Sequence, residues 1–274
     1  MMRSFPVLLL ACGIISCEVI STKNVKLPSS PEKLVVNGVV SNVGVGVYVT
    51  KTLPVLQSNP TSPLLEATVS LQTNGMPWAV LQKGADLYMS DSNWKYTDNL
   101  TVEVQHPALG KALAVPEPLP SALTMSEVSA VYTKQQTEAS INLAFRDVSG
   151  ADYYAYKMIA VKDGVPLTNE SIYKIPLDAL MNDLSFDNQT KKIISRLFLL
   201  KEAGNNQTIR ANQVKVYLYH LSAATYDYYR SLREYDSYNE DTFAEVLPVK
   251  NNIQNGYGFV GACSIDTITV NIKQ

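Results

Sequence analysis

From Lys33 onward the chain consists of short segments in which apolar and polar residues alternate, each closed by a turn signal. Alternation turns one side of a segment toward a core and the other toward water, which is the period of a strand and not of a helix. Residues 45–50, 67–71, 100–104, 128–132, 139–145 and 214–220 carry it, and 34–40 form an apolar run around Gly38. Asn74-Gly75 follows the 67–71 segment, and Asp163-Gly164 follows the strand-like 152–161 segment. Such dipeptides favour two-residue hairpin turns. Strands at intervals of roughly 10–20 residues, with little helical periodicity between them, predict an all-β protein of sandwich type. With 46 % hydrophobic and 18 % charged residues, the chain has the apolar surface that such cores need.

The stretch Val115-Pro116-Glu117-Pro118-Leu119-Pro120 interrupts the pattern. Proline fixes φ and donates no ladder hydrogen bond, so the stretch reads as a stiff extended connector and a domain boundary. The expected organisation is two β-sandwich domains of immunoglobulin or fibronectin type, over residues 33–120 and 121–274. Residues 176–201 are less regular and read as a long insertion in the second domain. One principal helix is expected there, over 222–235. Leu221, Ala224, Tyr228, Leu232 and Tyr235 recur at three- and four-residue steps, which marks an apolar stripe. Ser222 suits the N-cap, and Arg230 and Arg233 lie late in the helix, where its dipole favours cations.

The first residues carry a targeting signal. Arg3 precedes an apolar run of roughly a dozen residues, as an export signal requires. The run is too short to span a bilayer, which takes about 20 apolar residues. It ends in Ile14-Ile15-Ser16-Cys17, with a small residue directly before the cysteine and an aliphatic residue three before it, the pattern that lipoprotein signal peptidase needs. The expected division is a lipoprotein signal peptide over 1–16, lipidation at Cys17 and a polar, proline-containing tether over 17–32. Leu9-Leu10-Ala11-Cys12 is a rival site. Cleavage there would leave a very short apolar core and expose Ile14 and Ile15 beside the anchor. Two or more acyl chains on one cysteine hold a protein stably at a membrane.

Lys+Arg 23 against Asp+Glu 25 leaves no basic excess to neutralise phosphates, so no nucleic-acid partner is expected. With Cys12 removed and Cys17 lipidated, only Cys263 remains, and no intramolecular disulfide is expected. Cys263 reads as a small buried hydrophobe. As a nucleophile it would need an activating base, and His106 and His220 are the only histidines. These three residues make no transition-metal cluster, and the sequence holds neither a nucleophile elbow nor a phosphate-binding glycine loop. Asp183-Leu184-Ser185-Phe186-Asp187-Asn188 is oxygen-rich, as a calcium loop would be, but its spacing departs from the helix–loop–helix motif. The pairs Asp227/Glu234 and Glu240/Asp241 read as solvated charges. No cofactor, metal or catalytic residue is expected, and the chain is not read as an enzyme.

The tyrosines have two readings, as amphipathic rings that cover the sandwich or as contacts for a partner. Tyr226, Tyr229, Tyr238 and Tyr257 lie in or after the helix, the first two off the apolar stripe, with Arg230 and Arg233 beside them. Tyrosine and arginine are enriched at interfaces. Asn255-Gly256-Tyr257-Gly258 reads as a turn whose glycines permit positive φ and so present Tyr257. These six residues form the expected partner-binding face.

Several pieces of the chain resemble the Bacteroidota lipoprotein family called domain of unknown function 4249. They are Ser16-Cys17-Glu18 at the anchor, Leu34-Val35-Val36-Asn37-Gly38 at the first strand and Glu66-Ala67-Thr68-Val69 further on. Val214-Lys215-Val216-Tyr217-Leu218 follows, with Tyr226-Asp227-Tyr228-Tyr229-Arg230-Ser231-Leu232 and the run from Asn252 through Ala262. Glu66 stands where the family usually has glycine, and Gly258-Phe259-Val260-Gly261 replaces its usual Gly-Tyr-Phe-Gly. The resemblance implies an outer-membrane, cell-surface lipoprotein encoded alongside TonB-dependent receptors. It would serve nutrient uptake as an accessory or as a capture protein for a small nutrient of unknown identity. A structural or adhesive surface lipoprotein is the alternative.

Overall fold

The computed structural model describes residues 31–54, 62–91, 100–114, 118–203, 207–238 and 248–274. Cys17 and the signal and tether lie outside the described residues, as do 115–117 of the connector.

In chain order the strands begin with β1 (Leu34–Ser41), β2 (Gly44–Lys51), β3 (Thr68–Thr73), β4 (Met76–Val80), β5 (Gln82–Lys83), β6 (Tyr88–Ser90), β7 (Leu100–His106) and β8 (Gly110–Ala114). Beyond the connector follow β9 (Met125–Tyr132), β10 (Glu138–Arg146), β11 (Tyr153–Lys162), β12 (Val165–Pro166), β13 (Met181–Asn182) and β14 (Thr190–Phe198). The last are β15 (Leu200–Ala203), β16 (Gln207–Arg210), β17 (Gln213–Leu221), then the helix α1 (Ala223–Tyr238), β18 (Ile253–Gln254) and β19 (Gly256–Lys273). The chain is thus an all-β, sandwich-like protein with one helix among the described residues. The turn at Asn74-Gly75 forms as its sequence predicts: both residues have positive φ, and Thr73 pairs with Met76 across a two-residue loop.

The final strand holds the two halves together. Its first part runs parallel to β1, from Leu34 opposite Gly256 to Ser41 opposite Cys263. Its second part runs antiparallel to β17, from Leu221 opposite Cys263 to Gln213 opposite Asn271. The sheet therefore reads β12-β11-β17-β19-β1-β2-β6-β5, and Cys263 sits where β19 passes from one neighbour to the other. A five-stranded sheet, β18-β8-β7-β3-β4, covers the first half, and β9, β10 and β14 cover the second.

The cores follow this division. Val47, Val69, Leu71 and Val104 belong to the first core, which also takes Ile253, Val260 and Ala262 from the end of the chain. Ile141, Phe145, Tyr154 and Leu218 belong to the second, joined by Ile272. A strand shared by both cores means that no single cut in the sequence separates them. The reason is that β19 is apolar along its first part and alternating along its second, so each part suits a different sheet. Residues 190–198 are not part of an irregular insertion. They form β14, in continuous register with β10 from Glu138 opposite Phe198 to Arg146 opposite Thr190.

One buried cation fastens the segment after β12. Lys157 is 5 % exposed, pairs with Glu170 at 2.9 Å and donates to the carbonyl oxygens of Ser171 and Lys174. The ammonium beside it holds the Glu170 carboxyl below its ordinary value. A lowered folded pKa contributes stability that is full above the unfolded value near 4.5 and fades as pH falls through the folded one. Glu170→Gln is expected to cost about 1–2 kcal/mol at pH 7, because Lys157 keeps its carbonyl acceptors. Denaturation at pH 7 and pH 3 checks this: the gap between wild type and variant should shrink at pH 3, and a constant gap would show the pair to be inert.

Candidate functional site

Helix α1 packs where β1, β17 and β19 meet. Ser222 caps it as expected, its Oγ accepting the Thr225 N–H at 3.3 Å. Thr225 is fully buried. Its Oγ1 accepts the Ala262 N–H at 2.8 Å and donates to the Ala262 carbonyl at 3.2 Å, so helix and strand are bonded directly. The seat is glycine: a Cβ on Gly261 would come 2.6 Å from Thr225 Oγ1.

This docking corrects the expected binding face. Tyr226 is 7 % exposed and stacks on Tyr153 with ring centroids 4.6 Å apart. Tyr229 packs on the cluster that includes Val39, Tyr219 and Cys263, and its hydroxyl is hydrogen-bonded to the Ile175 backbone. Burial pushes that hydroxyl well above the usual tyrosine range. The Tyr226 ring thus belongs to the interior, and the Tyr229 ring is partly buried against that cluster. The sequence stripe is out of phase by about one residue, since Ala224 is exposed while Thr225 and Tyr226 are buried. The polar Thr225 hid the true face, because its buried hydroxyl is bonded to Ala262 of β19 and to the Ser222 cap. Tyr228 is half-buried, its ring stacked flat on Phe259 at 4.4 Å and its hydroxyl donating to Asn37 Oδ1 at 3.4 Å.

What stays exposed is Arg230, Arg233 and Tyr257, the last at 48 %. Arg230 lies 3.4 Å from Asp227 and 3.9 Å from Glu234, and Lys250 reaches Asp227 at 2.6 Å. Tyr257 belongs to the start of β19, opposite Val35, with the Lys33 ammonium 5.2 Å from its ring. The turn before it is made differently from the expectation: Asn255 and Gly258 have positive φ, whereas Gly256 is ordinary strand. The Tyr238 side chain lies outside the described residues.

A second polar group gathers on the other side of the helix start. A cleft of about 260 Å³ lies between Pro118–Ser121 of the connector, Ala151–Tyr153 and His220–Ala223. His220 forms its wall. Nδ1 donates to the Ser121 carbonyl at 2.9 Å, since a carbonyl only accepts, and Nε2 faces Asp152 Oδ1 at 2.8 Å. Ser264 Oγ donates to the Pro120 carbonyl, and Met125 N–H donates to Asp266 at 2.7 Å. The connector is thereby stitched to β17 and β19. Behind His220, Tyr154 stacks on the imidazole and donates to Asp147. Burial, then the bond to Asp147, holds the Tyr154 hydroxyl far above its usual range, so it stays a donor.

Carboxylate oxygens of Asp147, Asp183 and Asp187 lie within 4.8 Å of one another, which brings the oxygen-rich 183–188 loop against the end of β10. Each already organises backbone: Asp147 accepts the Asn188 N–H at 2.7 Å, Asp183 the Asp152 N–H at 2.9 Å and Asp187 the Gly150 N–H at 3.2 Å. Sequence spacing did not single out Asp147, which joins the loop only through the fold. Their chemistry here is to close two turns.

Cys263 is completely buried, and burial pushes its thiol up, far from the range of a nucleophile. Neither histidine serves it. His220 is opposite Ser264 and Leu221 opposite Cys263, so the imidazole and the thiol point to opposite faces of the sheet. His106 Nδ1 instead accepts the Ala108 and Leu109 N–H groups in the β7–β8 turn.

Fold and site together define a β-sheet protein whose interior polar groups fasten its own loops, joined through one long shared strand. The chain belongs to the family described as Domain of unknown function (DUF4249), whose match covers residues 20–269. No curated protein matches it.

Proposed function

We propose that this chain is a lipid-anchored outer-membrane protein that assists a TonB-dependent nutrient uptake system, capturing a ligand or covering the receptor, and that it performs no catalysis. The observation that carries the reading is the Ile14-Ile15-Ser16-Cys17 end of the apolar leader, followed by a polar tether.

Replacing Cys17 by alanine is expected to abolish acylation and release the protein in soluble form, read by mass spectrometry and membrane fractionation. Lipid found on Cys12 would overturn the assignment. Purification of the anchored protein should bring down a TonB-dependent receptor. Recovery of matrix or host material in its place would favour the adhesive alternative.

A further inference from the structure

The second half of the molecule carries an edge that no described strand covers. Among the described residues β14 pairs with β10 alone. Other edges are interrupted or short: β4 contains Pro77 and faces a register shift between Leu71 and Gln72, and β5 and β12 span two residues each. β14 runs for nine residues without proline, glycine or register shift.

Its ladder phase is fixed at both ends. Asp147 N–H donates to the Gln189 carbonyl, and Leu199 N–H donates to the Thr137 carbonyl, each one pair beyond the strand. In an antiparallel ladder bonded pairs alternate with unbonded ones. The odd-numbered residues of β14 therefore bond to β10. Thr190, Lys192, Ile194, Arg196 and Phe198 turn their N–H and C=O groups outward.

The same residues expose their side chains, in the order cation, apolar, cation, apolar from Lys192 to Phe198. Ile194 is 76 % and Phe198 61 % exposed, and the Arg196 guanidinium meets Glu138 only at 3.9 Å. Lysine and arginine on an edge ordinarily discourage pairing. Here they leave two apolar side chains uncovered, and so fix the sign of a partner instead of excluding one.

We propose that β14 takes up an extended acidic segment of a partner protein as an added strand. Its main chain would pair with the outward groups of residues 190–198, and alternate side chains would place carboxylates on Lys192 and Arg196 and apolar groups on Ile194 and Phe198. A second copy of this chain fits poorly, since two such edges bring like charges together. A membrane surface does not use the in-plane main-chain groups. The inference rests on the chain being a partner-binding module and not on its lipid, so it is tested on purified full-length protein.

The probe is a nine-residue peptide, acetylated and amidated, with glutamate and valine alternating on one face and threonine on the other, followed by fluorescence anisotropy. It should bind, and bind about tenfold more weakly to Lys192→Glu/Arg196→Glu, which should prefer the same peptide with lysine for glutamate. Ile194→Pro removes one outward N–H and should lower affinity with the circular dichroism spectrum retained. If that variant misfolds, the charge reversal decides. Equal binding of acidic and basic peptides, no binding of either, binding unchanged by the reversal, capture by phosphatidylglycerol vesicles in place of peptide, or dimerisation through β14 would each overturn the proposal. Failure here with a receptor still recovered through the anchored protein rejects the β14 assignment alone.

Discussion

Replacing Gly258 by alanine is expected to lower folding stability by about 3 kcal/mol or more, measured as the shift in a chemical denaturation curve. Two effects combine. Gly258 has φ +109°, a conformation that an L side chain rarely adopts. An added Cβ would also run into the carbonyl oxygen of Val36 and come 2.9 Å from Asn37 Oδ1. Val36 is the direct partner of Gly258 in the β1–β19 ladder, so the clash falls on backbone that cannot swing away. Asn37 Oδ1 accepts the Phe259 N–H at 3.2 Å and the Tyr228 hydroxyl, so displacing it loosens the helix as well. Gly164→Ala is the control. It also has positive φ, +83°, but nothing lies within 4 Å of its added Cβ. It should cost only about 1 kcal/mol, the backbone part alone. Equal losses at the two positions would show that the β1–β19 contact is not what demands glycine.

The tyrosines of the helix and of β19 should separate sharply. Tyr226→Ala is expected to cost about 3–5 kcal/mol and Tyr229→Ala about 2–4 kcal/mol, since each opens a hole in the packing at the strand junction. Tyr226 also loses its stack on Tyr153, and Tyr229 its bond to the Ile175 backbone. Tyr257→Ala should change stability by no more than about 0.5 kcal/mol, because its ring is half in solvent and meets a cation only at 5.2 Å. Of the tyrosines with described side chains expected at a partner surface, only Tyr257 then yields an interpretable binding test. Denaturation curves for the three single variants decide the matter. A mild loss at Tyr226 would mean that the helix does not pack as described.

Many strand positions were legible in the sequence as short runs that alternate or are apolar throughout. Residues 214–220 alternate, and β17 is found over Gln213–Leu221. Asn74-Gly75 closes a hairpin, and Ser222 caps the helix, because both signals act through neighbouring backbone and need no distant partner. The hidden strand is β14. Its outward residues mix lysine, arginine, isoleucine and phenylalanine, so no polar face marks the alternation. The helix phase misled for a related reason: tyrosine carries both an apolar ring and a polar tip, and Thr225 becomes a core residue only when Ala262 supplies its hydrogen bonds.

By itself the sequence determined the β class, the turns at Asn74-Gly75 and Asp163-Gly164, and the helix and its cap, since each is written in a run of adjacent residues. The tertiary structure decided which strands share a core, which tyrosines are interior, and how Asp147, Asp152, Tyr154, Asp183 and His220 come to form one network. Those outcomes depend on pairings such as Leu34 with Gly256, across nearly the whole chain. Hydrophobic alternation says which face of a strand is buried. It carries no label for the neighbour, and only the closing of both cores around β19 supplies one.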